Sequence, residues 1–491
     1  MSSLPPLPIA WTIAGSDSGG GAGIQADLKA MHALGVHGCS VITALTAQNT
    51  QGVQRIEPVS PGMIEAQLLS LQQDLPPAAL KIGMLGTMAA LRSVAEFLKQ
   101  QRDVFVVCDP VMAATRGGTL LDPVALGSLR DDLLPRVDLL TPNIPEAEAL
   151  VSYRIDSTDE VEKAARDLLR LGVHSVLIKG GHGNGSLCQD YWTDGHAHAW
   201  LSSPRWEAPH NHGGGCTLSS AIAAGVAQGL PLLDAVVLAK AYTNHGLRAS
   251  RPLGQGRGPL SQGGWPDHPA DLPWLTLQAG TAHQRLAFPT LDPGFPLYPI
   301  VDRAEWVERL LLLGADLIQL RAKDLSGIAL ETEVRRAVEL GRKAHARVFI
   351  NDAWALALQY GAYGVHLGQD DLPSADLAAL SQAGLRLGLS THGYAEVARS
   401  LAVVPSYVAI GTVFASPSKT FAHRPLGLDA FARLRKLIGM PVAAIGGITV
   451  ERAPAVVEAG ADLIAVISDL TKAPDLPARV AQWRNALRGA P

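Results

Sequence analysis

From Leu297 onward the chain alternates, eight times, between a short β-rich run and an amphipathic segment. The runs are 297–302, 316–321, 347–352, 363–367, 385–390, 406–411, 441–446 and 462–467. Between the first two, Trp306, Val307, Leu310 and Leu311 recur at the spacing of one helix face. Eight strand–helix units in about 195 residues is the count of a compact (β/α)8 barrel, an α/β fold; an open doubly wound sheet is the alternative. Barrels of this kind place their reactive groups where strands end at the carboxyl face, and the polar residues fall there. Gln319, Arg321 and Lys323 follow the second run, and Asn351 and Asp352 the third. Gln369, Asp370 and Asp371 follow the fourth, Ser390 and Thr391 the fifth, and Ser416, Ser418 and Lys419 the sixth. Gly446 and Gly447 close the seventh and Ser468 the eighth.

This set divides by chemistry. Asp352 and Asp371 are hard oxygen ligands suited to Mg²⁺, with helix capping or a surface role as the alternative. Arg321, Lys323 and Lys419 add positive charge for phosphate. Gly446-Gly447 and the backbone near Ile467-Ser468 can offer N–H groups to a second phosphate. Two anion pockets and a metal, without an activated nucleophile, suit a displacement that ejects pyrophosphate.

The segments 318–323, 350–352, 364–371 and 444–449 resemble thiamine-phosphate synthase. The resemblance implies that Gln319, Arg321, Lys323, Asn351 and Lys419 hold a pyrimidine diphosphate, with Mg²⁺ on Asp352 and Asp371. Ser390 would sit near the reaction centre or the diphosphate. Ser416, Ser418, Gly447, Ile467 and Ser468 would receive a thiazole phosphate. The chain departs from the family at Ala415-Ser416-Pro417-Ser418-Lys419, where Pro-Thr-x-Thr-Lys is usual; serine keeps the hydroxyl, so a changed affinity is expected rather than lost activity.

The first half has two glycine loops, residues 15–23 and 212–215. No Gly is followed directly by Lys, so there is no Walker A loop, and neither loop fits Gly-x-Gly-x-x-Gly. Gly213, Gly214 and Gly215 lead into a long apolar run, and amides at a glycine-rich helix start make an anion site. The helix dipole there is expected to lower the pKa of Cys216 and make it the reactive cysteine, with a small packing residue as the alternative. Cys39, Cys108 and Cys188 read as core residues. His196 and His198 lack companion ligands for a metal.

Segments 14–17, 21–27, 46–50, 81–84, 109–112, 141–143 and 179–182 resemble hydroxymethylpyrimidine (phosphate) kinase. The resemblance implies a ribokinase-like α/β domain, two successive ATP-dependent phosphorylations and a homodimer through this domain. By it, Gly15, Asp27, Gln48 and Met84 line the pyrimidine site, and Asp109, Asn143 and Glu146 serve Mg-ATP. Lys179 would meet the phosphates, Gly213 to Gly215 cradle the transferred phosphoryl, and Cys216 act as base. Gly214 stands where the family usually has threonine, which is expected to loosen the loop.

Ten Gly and Pro crowd residues 251–273, which sets a kinase-like domain at 1–262, a linker at 263–294 and an N-terminal ribokinase-like plus C-terminal TIM barrel (β/α)8 order, the barrel at 295–491. With 41 basic and 45 acidic residues the net charge is −4, which argues against nucleic acid as partner. At 47% hydrophobic and 18% charged the chain is not disordered. The charge-free run 212–233 carries Gly, Ser, Gln and Pro, so it reads as a buried helix rather than a membrane span. Four cysteines in no paired spacing, and no Lys or Arg in the first 16 residues, suggest a reducing, cytoplasmic setting without signal peptide. The combined expectation is a bifunctional enzyme whose first half makes the diphosphate its second half consumes. The alternative is a kinase of another alcohol, pyridoxal or a sugar, joined to a barrel that only binds thiamine phosphates.

Overall fold

The computed structural model describes residues 6–112, 125–181, 185–280, 286, 288–415 and 425–488. The chain divides into two compact units, Met1–Thr281 and Ala282–Pro491.

In the first unit the strands are β1 (Ile9–Asp17), β2 (His37–Asn49), β3 (Gly52–Pro58), β4 (Ala79–Ile82), β5 (Phe105–Cys108), β6 (Leu139–Leu140), β7 (Ser175–Ile178), β8 (Leu187–Thr193), β9 (His198–Pro204) and β10 (Trp274–Thr276). They form one sheet in the order β10-β9-β8-β7-β6-β5-β4-β1-β2-β3. Strands β7 through β2 in that order run parallel; β3 and β8 to β10 are antiparallel additions. Covered on both faces, the central strands are apolar without alternation, and β4 and β7 are buried throughout. Because β1 is flanked by β2 and β4, successive connections leave in opposite directions and open a crevice at the carboxyl ends.

The most deeply buried charged pair of this unit, among the described residues, lies inside the apolar frame. Asp27, on helix Gly23–Ala33, and Lys81, on β4, are both fully buried and 2.8 Å apart. The Asp27 carboxylate also accepts from Thr12 Oγ1 on β1 at 2.5 Å and Ser220 Oγ at 2.6 Å. Ser220 belongs to helix Gly214–Ala227, into which the charge-free run folds; its residues Thr217 to Gly225 are buried. Among the described residues, no helix is long and apolar enough to cross a membrane.

The linker expected over 263–294 is largely built into the two units instead. Asn244 Nδ2 donates to Asp271 O at 2.8 Å, and Arg248 Nε to Asp271 Oδ1 at 2.8 Å. Strand β10 then pairs with β9 as the sheet's edge. At the other end, Phe288 N donates to Val404 O at 3.3 Å and Leu291 is buried in the second unit. Gly and Pro break long periodic elements, but they do not prevent short segments from packing.

The second unit is a closed parallel barrel of β11 (Leu297–Val301), β12 (Leu317–Leu320), β13 (Arg347–Asn351), β14 (Gly364–Leu367), β15 (Arg386–Thr391), β16 (Tyr407–Gly411), β17 (Val442–Ile445) and β18 (Leu463–Val466), with β18 pairing β11. Each strand lies within its expected run or one residue beyond it. The interior is filled by rings set against glycines: a Cβ on Gly364 would lie 2.4 Å from Phe349, and one on Gly388 2.2 Å from Tyr407. Large and small side chains thus interdigitate across neighbouring strands.

The pinning of residues 263–276 is testable. Asp271 is fully buried and accepts from Arg248 Nε at 2.8 Å, with His245 3.4 Å away. Against the upward push of burial, these partners hold its carboxyl at about 2, below the ordinary 3.8. That difference corresponds to about 2 kcal/mol of stability. Since the folded-state value is depressed, this contribution is present above pH about 4 and is lost as the pH falls toward 2. Asp271→Asn is expected to lower the stability of the first unit by a similar amount at pH 7 and to speed hydrogen exchange across 262–276. Urea unfolding and mass-spectrometric exchange measure both.

Candidate active sites

In the first unit the carboxyl ends of the parallel strands border a cavity of about 650 Å³. Gly15, Gln48, Met84, Asp109, Asn143, Glu146, Lys179, Gly213, Gly214, Gly215 and Cys216 all line it. A Cβ on Gly15 would lie 2.7 Å from Met84 Cε, so the glycine makes room for that side chain. Gln48 Nε2 is 3.1 Å from His212 Nε2, which in turn lies 3.5 Å from Asp17.

Asp27 does not line the cavity, contrary to its expected place. It is buried beneath Lys81, which does line it. A carboxylate shielded from water is stable only beside a cation and donors, and Lys81, Thr12 and Ser220 supply them. Lys81 was missed as a site residue. Its signal was a lone charge inside Ala79-Leu80-Lys81-Ile82, since a lysine in an apolar strand needs a partner.

The first glycine loop closes on its own carboxylate. Gly19, Gly21 and Ala22 donate their amides to Asp17 at 2.8, 3.0 and 2.8 Å. Although burial pushes the other way, His212 and these amides hold the Asp17 carboxyl below its usual value. Those three amides are engaged within the loop.

The second glycine loop has strict geometry. Gly213 sits at φ 79°, where a Cβ would lie 1.9 Å from Gly21 O. At Gly215 a Cβ would lie 3.2 Å from Lys179 Nζ and 3.4 Å from Asp109 Oδ2. The bare backbone therefore reaches the ion pair Lys179–Asp109, itself 2.6 Å long. Gly214 starts the helix with only Leu260 nearby, at 3.6 Å, so a side chain there has room. Asn143 accepts from Glu146 N at 2.9 Å, and Glu146 accepts from Asn143 N at 2.8 Å. This reciprocal cap sets Glu146 at the rim of the cavity. Burial first, then Asp109, raises its carboxyl to about 7 in spite of Lys179.

The cysteine expectations need correction. Burial, joined by Asp27 and Asp109, pushes the Cys216 thiol up to about 11; Lys81 and the Gly23 amide oppose this without prevailing. Desolvation of a thiolate outweighs the fractional charge of a helix start. Cys188 is not a core residue: it is half-buried, lines the cavity and lies 3.2 Å from Lys240 Nζ. Cys39 and Cys108 are buried as expected.

In the barrel, Gln319, Arg321, Asn351, Asp352, Asp371, Ser390 and Gly447 lie at or just beyond the carboxyl ends of β12 to β15 and β17. Ile467 and Ser468 follow β18. Ser416, Ser418 and Lys419 lie outside the described residues. Lys323 Nζ is 3.1 Å from Asp352, which adopts φ 60°. Asp371 accepts from Gly368 N at 3.1 Å. Burial first, then its hydrogen-bonded neighbour Asp352, raises the Asp371 carboxyl. Two acids that share a site and resist joint ionisation are a donor set that a divalent cation would relieve. Gly446 at φ 108° and Gly447 at φ 60° turn the chain after β17; Cβ atoms there would lie 2.6 Å from Thr412 Cβ and 2.5 Å from Ala415 O. Below these groups, His366 is buried, and its imidazole is pushed down to about 4 by that burial.

A model of the phosphomethylpyrimidine kinase family matches residues 17–261, and one of the thiamine monophosphate synthase family matches 297–470. The chain is 35% identical over 494 residues to a probable thiamine biosynthetic bifunctional enzyme, chloroplastic, of Oryza sativa subsp. japonica, covering 98% of this chain and 88% of that one. It is 49% identical over 256 residues to a hydroxymethylpyrimidine/phosphomethylpyrimidine kinase of Rhizobium meliloti (strain 1021), covering 51% of this chain and 96% of the relative. A solved pyridoxal kinase from Staphylococcus aureus superposes with a TM-score of 0.51 at 29% identity, over 55% of this chain and 98% of its own. The chain therefore belongs to the bifunctional thiamine biosynthetic enzymes, in which a ribokinase-like phosphomethylpyrimidine kinase is followed by a thiamine monophosphate synthase barrel.

Proposed function

We propose that the first unit phosphorylates hydroxymethylpyrimidine to its monophosphate and then its diphosphate with ATP, and that the barrel joins the diphosphate to a thiazole phosphate, releasing pyrophosphate. The observation that carries this reading is that both sites are built in one chain and the product of the first reaction is the substrate of the second. In the first site Gly15, Gln48 and Met84 receive the pyrimidine, and Lys81, held by Asp27, replaces Asp27 as the polar group beneath it. Gly213 to Gly215 and Lys179 gather the charge of the passing phosphoryl group, which is most of what phosphoryl transfer asks of a protein. Cys216, a neutral thiol in the free protein, orients the hydroxymethyl group rather than standing ready as a thiolate.

In the barrel, Gln319 and Asn351 orient the pyrimidine diphosphate and Arg321 and Lys323 stabilise the departing diphosphate. Ser390 lies by the breaking bond, and Gly447, Ile467 and Ser468 receive the thiazole phosphate; Ser416, Ser418 and Lys419 complete the set by resemblance. Mg²⁺, held by Asp352 and Asp371 here and beside Asp109, Asn143 and Glu146 in the kinase, would neutralise phosphate charge. A cytoplasmic setting and a homodimer through the first unit belong to the same reading. A second reading, pyridoxal as the kinase substrate, draws on the Staphylococcus aureus neighbour; comparing turnover of pyridoxal and hydroxymethylpyrimidine decides between them.

Purified chain given hydroxymethylpyrimidine, ATP, Mg²⁺ and thiazole phosphate should make thiamine phosphate; no product from either half refutes the reading. Asp352→Asn should slow the joining step by about a hundredfold or more and leave pyrimidine phosphorylation unchanged. Equal loss of both would refute separate sites.

Gly213→Ala should abolish phosphorylation, since its Cβ meets Gly21 O, while the joining of supplied diphosphate continues. Gly214→Thr should retain phosphorylation and stabilise the helix start by no more than about 0.3 kcal/mol, since threonine ranks only a little above glycine as a helix former. Separate kinase and joining assays, with thermal unfolding, measure these outcomes.

A further inference from the structure

A chain of buried hydrogen bonds crosses the barrel interior from one proposed site residue to another. Gln319 Nε2 lies 3.1 Å from Tyr298 Oη, and Tyr298 Oη lies 2.8 Å from Tyr407 Oη. Tyr407 Oη is 2.7 Å from His366 Nδ1, and His366 Nε2 is 2.9 Å from Ser390 Oγ. Tyr298 and Tyr407 are fully buried, Gln319 and His366 nearly so, and Ser390 is half-buried at the mouth.

A neutral imidazole has one donor and one acceptor nitrogen, and each hydroxyl has a single proton. In a dry interior an unmatched donor is costly, so only two settings leave every link made. In one, Gln319 donates to Tyr298, Tyr298 to Tyr407, Tyr407 to His366 Nδ1, and His366 Nε2–H to Ser390. The Ser390 proton then points into the site. In the other the Gln319 amide is turned so that Oε1 accepts from Tyr298, every link reverses, and Ser390 spends its proton on His366 and offers the site only lone pairs. The amide nitrogen of Gln319 on Tyr298 selects the first.

We propose that Tyr298, Tyr407 and His366 are positioning residues that make Ser390 a hydrogen-bond donor at the reaction centre, with the direction set by Gln319. This rests on the reading that Ser390 lies beside the departing diphosphate. A donor there stabilises the negative charge that accumulates as the C–O bond breaks; an acceptor would oppose it. The orientation of the pyrimidine by Gln319 and the polarity of Ser390 are thereby one property of the barrel core.

The test is a double-mutant cycle on the full chain, with supplied pyrimidine diphosphate and thiazole phosphate. Tyr407→Phe is expected to lower kcat of joining about tenfold with KM for thiazole phosphate unchanged. In a Ser390→Ala background it should cost less than about twofold, because its effect passes through Ser390. Tyr298→Phe, which interrupts the chain one link further away, should show the same non-additivity and serves if Tyr407→Phe folds poorly. Nitrogen-15 spectra of histidine-labelled protein should show His366 protonated at Nε2, its signal identified by loss in His366→Asn. If Ser390→Ala leaves kcat unchanged, the placement of Ser390 fails and the proposal with it. If Ser390→Ala slows joining but the tyrosine variants are silent or additive, or His366 is protonated at Nδ1, the proposal alone is overturned.

Discussion

Parallel strands deliver all their carboxyl ends to one face, and both units of this protein depend on that constraint. Each strand must be followed by a connection that returns to the opposite edge, so the residues just after successive strands meet although they are far apart in sequence. In the first unit this convergence brings Gln48, Met84, Asp109, Asn143 and Lys179 to one cavity. In the barrel it brings Gln319, Asn351, Ser390 and Gly447 to the same end.

What distinguishes the first site is how it tolerates charge out of water. Three lysines there are each paired: Lys81 with Asp27, Lys179 with Asp109 and Lys240 with Asp190, at 2.8, 2.6 and 2.6 Å. A buried ion without its partner would cost several kcal/mol, so these pairs also tie together the elements that carry them. Asp27 alone gathers β1, β4 and two helices. The same surroundings push the Cys216 thiol above its ordinary value. The barrel solves its polar interior differently, with neutral hydroxyls, an amide and an imidazole in one directed chain.

Much of this was legible in the residues. The barrel strands were readable because each short apolar run is bounded by polar ends and followed by a helical stripe. Gly213 was readable as part of a glycine-rich helix start, but its close approach to Gly21 O was not, because that contact joins loops almost two hundred residues apart. The role of Asp27 was not, because the motif containing it does not say which side of Lys81 faces the cavity. The Cys216 expectation failed because a helix start acts locally, whereas desolvation comes from every element packed around the thiol. Residues 263–276 looked like a linker because Asn244 and Arg248, partners of Asp271, lie on a helix whose side chains carry no mark in the sequence of what they bind.

The α/β fold of the first half was implied by its resemblance to a kinase family; by itself the sequence determined the barrel's eight strand–helix units, the glycine loops and the chemical types gathered at the barrel's strand ends. These follow from periodicity, turn chemistry and side-chain chemistry, which are properties of neighbours along the chain. Only the tertiary structure decided which carboxylates line the cavity, which loop closes on its own carboxylate and which thiol has its pKa raised. It alone also joined Gln319 to Ser390 through Tyr298, Tyr407 and His366. Those outcomes turn on solvation and on contacts between residues distant in sequence, and both exist only once the strands and helices have packed.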